Sequence, residues 1–264
     1  MSFFLVILDL QASDPLTQFA LIFSSLVHDV DHVGVSNHQL VKEKSPLAAL
    51  YKNKSVAEQN SVDISWWLLM TPSFSDLRGA IYSDASEMRR FRQLLVNTVV
   101  ATDILDRDMK IHRDRGWNKA FDGKKSASPF DSIRDLRATL AVEHIMQAAD
   151  AAHTMQSFRT YLKWSEKIFE EMYQAFHCGR AERDPAKSWY VGELAFFDRF
   201  VVPLASRLQQ TGVLGLSGDE FLKAAMENRR LWNEHGKLIV RDMVENFSRR
   251  VVAAQDDTVE FLSA

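Results

Sequence analysis

Apolar residues return at helical spacing along most of this chain, and no stretch shows the strict alternation of a half-buried strand. Asp14-Pro15 pairs a capping residue with a proline suited to the first helical position. Leu16, Phe19, Ile22, Phe23, Leu26 and Val27 then line one stripe, which predicts a helix over 15–30. Ser45-Pro46 repeats the start signal. Ser55-Val-Ala-Glu58 has the S-x-x-E form of a capping box ahead of Val62, Trp66, Trp67 and Leu69. Met88, Phe91, Leu94, Leu95, Thr98 and Val99 mark a helix over 87–105. The charged stretch 106–129 carries Gly116 and Gly123 and little periodicity, so it reads as a loop with at most a short helix.

From Asp131 to Cys178 there are 48 residues without glycine or proline, longer than one ordinary globular helix, so at least two helices meet there. Ala148-Ala149-Asp150-Ala151-Ala152 is a place for close backbone approach. Residues 179–184 are a polar break, 193–208 are apolar and helix-like, and Thr211 to Gly218 is a linker before a last amphipathic helix or helix pair over 219–254. The expected fold class is all-α, a multi-helical bundle. Its divisions are an N-terminal remnant at 1–14, a main domain at 15–210 and a helical extension at 211–264.

Composition narrows the function. The chain has 264 residues, 46% of them hydrophobic, with 32 Lys+Arg against 35 Asp+Glu. It lacks the basic footprint of a nucleic-acid binder. Only 10 glycines and 6 prolines fit long helices. A single cysteine, Cys178, excludes an internal disulfide and a cysteine-rich zinc module, and fits a reducing, cytoplasmic setting. The opening apolar run is broken by Asp9 and is too short to span a membrane.

The chemistry gathers in His28-Asp29-Val-Asp-His32-Val-Gly34-Val-Ser-Asn37. On a helix His28 and His32 would lie about 40° apart, with Asp29 about 100° from His28, so all three can face one pocket. Imidazole with carboxylate suits a hydrolytic Zn, Mn or Fe site. The plainer reading is three polar residues at a fraying helix end.

That string, followed by Leu50-Tyr51-x-Asn53-x-Ser55-Val56-x-Glu58, by Ala101-Thr102-Asp103 and by Ala148-Ala149-Asp150, resembles the catalytic domain of class I 3',5'-cyclic-nucleotide phosphodiesterases. The resemblance runs from Pro15 to Leu208. It implies an all-helical HD-type phosphohydrolase with two divalent metal ions, Zn and Mg or Mn, that opens cyclic nucleotides to 5'-monophosphates in signal transduction. By that resemblance His28, Asp29 and Asp150 are metal ligands, and His32 is catalytic, beside the bridging hydroxide. Glu58 and Thr102 hold waters of the second metal. Each also has a plainer role: Asp150 as a helix-end residue, Glu58 in its capping box, Thr102 bonded to a preceding carbonyl.

Nucleotide recognition in the family resembles a slot in which a glutamine reads the purine and a phenylalanine three residues on stacks against it. Here Glu193 stands at the glutamine position and Phe196 at the clamp. An ionised glutamate only accepts hydrogen bonds, which tilts the expectation toward cyclic GMP over cyclic AMP. Phe196 would otherwise be ordinary core.

The sequence departs from the pattern in three places. No histidine precedes His28, so the upstream H-N-x-x-H motif, with its proton donor, is missing, and the chain is expected to be a fragment beginning inside the domain. Gln59-Asn60-Ser61 replaces Asn-His-His after Glu58. His153 replaces an asparagine three residues after Asp150, as a substitute ligand or acid or, more simply, a structural histidine. Trp66, Trp67 and Trp164 read as core or groove aromatics, and the arginine doublets at 89–90, 229–230 and 249–250 as solvated faces. The expected partners are a cyclic nucleotide, a second copy in a dimer, and regulatory, cyclase or membrane-anchoring modules in a longer gene product. The alternatives are a catalytically impaired binding module and another HD-type nucleotide phosphohydrolase.

Overall fold

The computed structural model describes residues 14–121, 130–212 and 214–263, and among them there is no strand. The helices are α1 (Pro15–Val27), α2 (Asn37–Lys42), α3 (Pro46–Leu50), α4 (Val56–Leu69), α5 (Ser75–Ile81) and α6 (Ala85–Val100). They continue as α7 (Arg107–Ala120), α8 (Phe130–Asp150), α9 (Phe158–His177), α10 (Pro185–Phe196), α11 (Val202–Thr211) and α12 (Leu216–Ser263). The N-terminal remnant, apart from Asp14, and the end of the predicted loop at 122–129 lie outside the described residues.

The chain forms two compact units. One comprises the residues up to Ala152 together with Leu204–Asp219; the other comprises His153–Pro203 and the chain from Glu220 on. These divisions cut across the expected boundary at 210/211. They also run through α11 and α12, because the Thr211–Gly218 linker shrinks to a short turn between them, with Gly212 and Gly215 in the left-handed region.

α1 begins as its sequence predicts, the Asp14 carboxylate accepting from the Thr17 backbone N–H. It ends at Val27 rather than 30, because the chain turns and Asp31 takes φ 65°. α1 packs on α6 through Phe91, which is fully buried, with the rings of Phe19, Phe23, Trp66 and Tyr82 at centroid distances of 5.7 to 6.4 Å. Val27, Val62, Leu95 and Val99 extend that seam toward the C-terminal end of α1. A buried hydroxyl pair, Ser24 Oγ and Thr98 Oγ1 at 2.6 Å, crosses it and satisfies both groups.

The stretch read as a loop is largely α7. Asp106 caps it by accepting from the N–H groups of Asp108 and Met109, and Trp117 and Ala120 bury against Leu140 of α8. α8 and α9 bear out the expectation of two helices in the glycine- and proline-free stretch. The last predicted helix or pair is a single helix.

In the second unit α9 buries Tyr161, Ser165 and Phe169 on one face. Tyr161 meets Trp232 of α12 edge-on at 5.7 Å. Gly236 is required there, since a Cβ would sit 2.9 Å from the rings of Trp232 and Tyr190. Two of the aromatics expected in core or groove positions are not core: Trp67 is 70% exposed and Trp164 48%. Trp66 alone reaches the Phe91 cluster, because α4 turns successive side chains about 100° apart. Each doublet has an arginine that pairs at the surface: Arg90 with Asp14, Arg229 with Asp198 at 2.9 Å, Arg230 with Glu227 and Glu234, and Arg249 with Glu245 at 3.4 Å. No helix among the described residues is long and apolar enough to cross a membrane.

Candidate metal centre and nucleotide slot

In the first unit the last residue of α8 meets the turn that follows α1. His28 Nε2 lies 3.2 Å from Asp29 Oδ2 and 3.4 Å from Asp150 Oδ1. One donor atom from each of the three residues lies within 4.8 Å of the others, so the group could hold a metal ion. Two observations fit that use. His28 Nε2 is buried with no well-formed hydrogen bond, and its Nδ1, 3.1 Å from the Ser25 carbonyl, can donate there, which leaves Nε2 facing the two carboxylates. The carboxylates are open to solvent, Asp29 being 67% exposed and Asp150 39%.

The electrostatics agree. Burial works against a charged His28, but Asp150 and then Asp29 outweigh it and push its pKa up to about 10. The contact with His28, against some desolvation, holds Asp29 below the usual carboxylate range. A site that attracts a proton this strongly offers the same field to a cation.

His32 does not join the three. The turn ends the helix on which it would have shared their face, and its ring is exposed at the rim of a hollow of about 500 Å³. Glu58, Thr102, Asn37 and Asp103 line the same hollow, so three of the expected site residues share it. His32 Nδ1 accepts from Gly34 N–H at 3.2 Å, which places the ring proton on Nε2 in the neutral form. The Thr102 hydroxyl donates to the Val99 carbonyl at 2.7 Å, as its plainer role requires, and still lines the hollow.

The capping box is not formed. Ser55 takes φ 37° and ψ 54°, a left-handed conformation from which its hydroxyl cannot cap α4, and it donates instead to Asp103 Oδ2 at 2.8 Å. Glu58 is thereby free to accept from Asn37 Nδ2 at 2.8 Å. Burial raises its pKa, the bond from Asn37 opposing. Asn37 also donates to Asp103 at 3.1 Å and accepts from Ala57 N–H at 2.9 Å. Asn37 and Asp103 thus organise the hollow. Both stood in the motif blocks, yet nothing in their spacing indicated that they pair.

In the second unit Glu193 and Phe196 occupy the last turn of α10. Tyr161 donates to Glu193 Oε2 at 2.5 Å, Ser165 lies 3.5 Å from the same oxygen, and Trp189 Nε1–H donates to Ser165 at 3.2 Å. Burial raises the Glu193 pKa against those two hydroxyl bonds. The acceptor-only premise behind the cyclic GMP expectation is therefore weakened, since a protonated carboxyl also donates. Phe196 is half-buried rather than core and stacks on Phe200 at 5.3 Å and 21°. The core position belongs to its neighbour Phe197, where a π-helical turn over Phe197–Val201 begins. His153 lies in the short 3₁₀ turn Ala152–Met155, its ring 6.4 Å from Trp164.

The fold is that of solved phosphodiesterase domains. A crystal structure of the phosphodiesterase domain of the RhoPDE fusion protein from the choanoflagellate Salpingoeca rosetta superposes with a TM-score of 0.68 at 20% identity, over 89% of this chain and 72% of that one. A second structure, of the phosphodiesterase domain of Salpingoeca rosetta rhodopsin phosphodiesterase, gives 0.67 at 20% identity, over 88% and 69%. Residues 1–211 match the 3'5'-cyclic nucleotide phosphodiesterase family, and the chain belongs to it. It is 25% identical over 232 residues to the Dictyostelium discoideum "cGMP-specific 3',5'-cGMP phosphodiesterase 3", covering 84% of this chain and 46% of the relative. It is 26% identical over 231 residues to the Caenorhabditis elegans "probable 3',5'-cyclic phosphodiesterase pde-3", covering 83% and 32%. The C. elegans "probable 3',5'-cyclic-AMP phosphodiesterase pde-4" is 27% identical over 159 residues, covering 59% and 22%. The chain spans less than half the length of these curated relatives.

Proposed function

We propose that this chain hydrolyses 3',5'-cyclic nucleotides to 5'-monophosphates with divalent cations held by His28, Asp29 and Asp150. The convergence of these three donors on the unbonded, buried His28 Nε2, in a chain of this family, carries the reading. Bound cations supply Lewis-acid chemistry, acidifying water and neutralising charge on the phosphate oxygens. One imidazole and two carboxylates suit Zn, Mg or Mn.

The chain's own groups do the rest. Nδ1 of His28 is held at the Ser25 carbonyl, so that Nε2, beside the two carboxylates, would exchange its proton for a bound cation. Asp29 and Asp150, being solvent-facing, have further oxygen lone pairs for a second ion or its waters. His32 carries its proton at Nε2 at the rim of the hollow, in position for acid–base work. Glu58 and Thr102 offer acceptor oxygens to water in that hollow.

The purified chain is expected to release 5'-GMP or 5'-AMP in Mg²⁺, Mn²⁺ or trace Zn²⁺ and to stop in chelator. Turnover indifferent to chelator would defeat the metal reading. Nucleotide bound without turnover would make the chain a binding module.

For the base, we propose that Glu193 and Phe196 form the slot. Burial favours a proton on Glu193, and a protonated carboxyl can face either a donor or an acceptor, so kcat/KM for cyclic GMP and cyclic AMP should agree within about tenfold, less than one lost polar partner would impose. Phe196→Ala should raise KM for both by about three- to tenfold through lost stacking. A hundredfold preference for either base would show that Glu193 acts as the ionised acceptor or takes no part.

A further inference from the structure

α4 also reaches the turn that follows α1, through Asn60 and Ser61. Asn60 is buried, and its Nδ2 donates to Asp31 Oδ2 at 2.9 Å. Ser61, 1% exposed, has its Oγ 2.8 Å from the Val30 carbonyl and 3.0 Å from the Ala57 carbonyl of its own helix, and donates to them. Both side chains therefore act on the turn that carries His28 and Asp29.

That turn needs holding. It is closed by Val30 N–H to the Val27 carbonyl at 3.1 Å and by His32 N–H to the Asp29 carbonyl at 3.0 Å. It also places Asp31 at φ 65°, a left-handed conformation that aspartate accepts more readily than most residues but still at a cost relative to glycine, so a partner for its side chain helps to hold it. If Asp31 relaxed to negative φ, the turn would open and His28 and Asp29 would shift relative to Asp150, which is fixed at the end of α8. Ångström-scale displacement is enough to spoil a ligand set that must converge on one ion.

We infer that Asn60 and Ser61 are positioning residues of the metal centre, clamping the His28–Asp31 turn in its left-handed form. This rests on the metal reading above.

The experiment measures the Mn²⁺ and Zn²⁺ dissociation constants by calorimetry, and the metal-free unfolding midpoint, for four full-length chains. These are the wild type, Asn60→Ala, Asp31→Gly and the double variant. Asn60→Ala should weaken metal binding about tenfold, the scale found when groups supporting metal ligands are removed. In the Asp31→Gly background, where glycine adopts positive φ without a Cβ penalty, the same change should cost less than threefold. A merely structural Asn60 would lower the metal-free midpoint and leave the dissociation constants unchanged, and that result overturns the inference. Equal losses in both backgrounds overturn it too. If Asn60→Ala does not fold, Ser61→Ala is measured in its place, and an unchanged dissociation constant there is equally fatal. A wild-type chain that binds neither cation overturns the metal centre itself, and this inference with it.

Discussion

Asp150→Asn should abolish stoichiometric Mn²⁺ or Zn²⁺ binding and lower kcat/KM for cyclic nucleotides by more than about a hundredfold, and His28→Ala should do the same. Changes to groups that merely support metal ligands cost roughly 10- to 100-fold, so removing a ligand must exceed that range. Asparagine preserves the shape of Asp150 but not its charge, so the field that raises the His28 pKa loses its largest favourable contributor. His28→Ala deletes the only imidazole of the three. Equilibrium dialysis of the metal beside steady-state kinetics gives the answer. A variant that keeps one equivalent of metal and turns over within tenfold of wild type would remove that residue from the centre.

The second large effect concerns a residue with no chemistry of its own. Phe91→Ala should destabilise the first unit by about 3–5 kcal/mol, the usual cost of emptying a fully buried aromatic site. Four rings, two from α1, one from α4 and one from the chain just after α5, close on that side chain and cannot collapse together into its space. Urea unfolding followed by tryptophan emission reads the change, because Trp66 sits 6.4 Å from Phe91. A loss below 1 kcal/mol would mean that the cluster repacks. The site should feel the same substitution, since α1 delivers His28 and rests on Phe91 through Phe19 and Phe23.

What the sequence revealed follows the range of the interactions involved. The start of α1 was legible because Asp14 caps it through a residue three positions away. α7 was missed because a largely polar helix that buries only Arg113, Trp117 and Ala120 leaves a faint stripe. Ser55 and Glu58 carry a local capping signal, yet Ser55 spends its hydroxyl on Asp103, 48 residues away, and no window of sequence shows that bond. His32 was grouped with His28 by helical spacing, and the left-handed Asp31 between them breaks that spacing. His28, Asp29 and Asp150 were named together only through family resemblance, because their meeting depends on the packing of α1 against α8. The acceptor-only reading of Glu193 is weakened by its burial, which favours a protonated carboxyl and which depends on helices distant in the sequence.

The donors at 28 and 150 are roughly 120 residues apart in the chain, and this has a consequence for how the protein folds. Loop-closure entropy grows only logarithmically, so joining such distant points costs little more than joining near ones, but neither end can hold the ion tightly alone. On the proposed metal reading, capture of the ion is a late event, expected only after non-local helices have docked. Once bound, the cation acts as a cross-link that the unfolded chain lacks. Each tenfold rise in free metal above its dissociation constant would then add about 1.4 kcal/mol to the free energy of unfolding, so on that reading metal supply governs the stability of the folded chain as well as its activity.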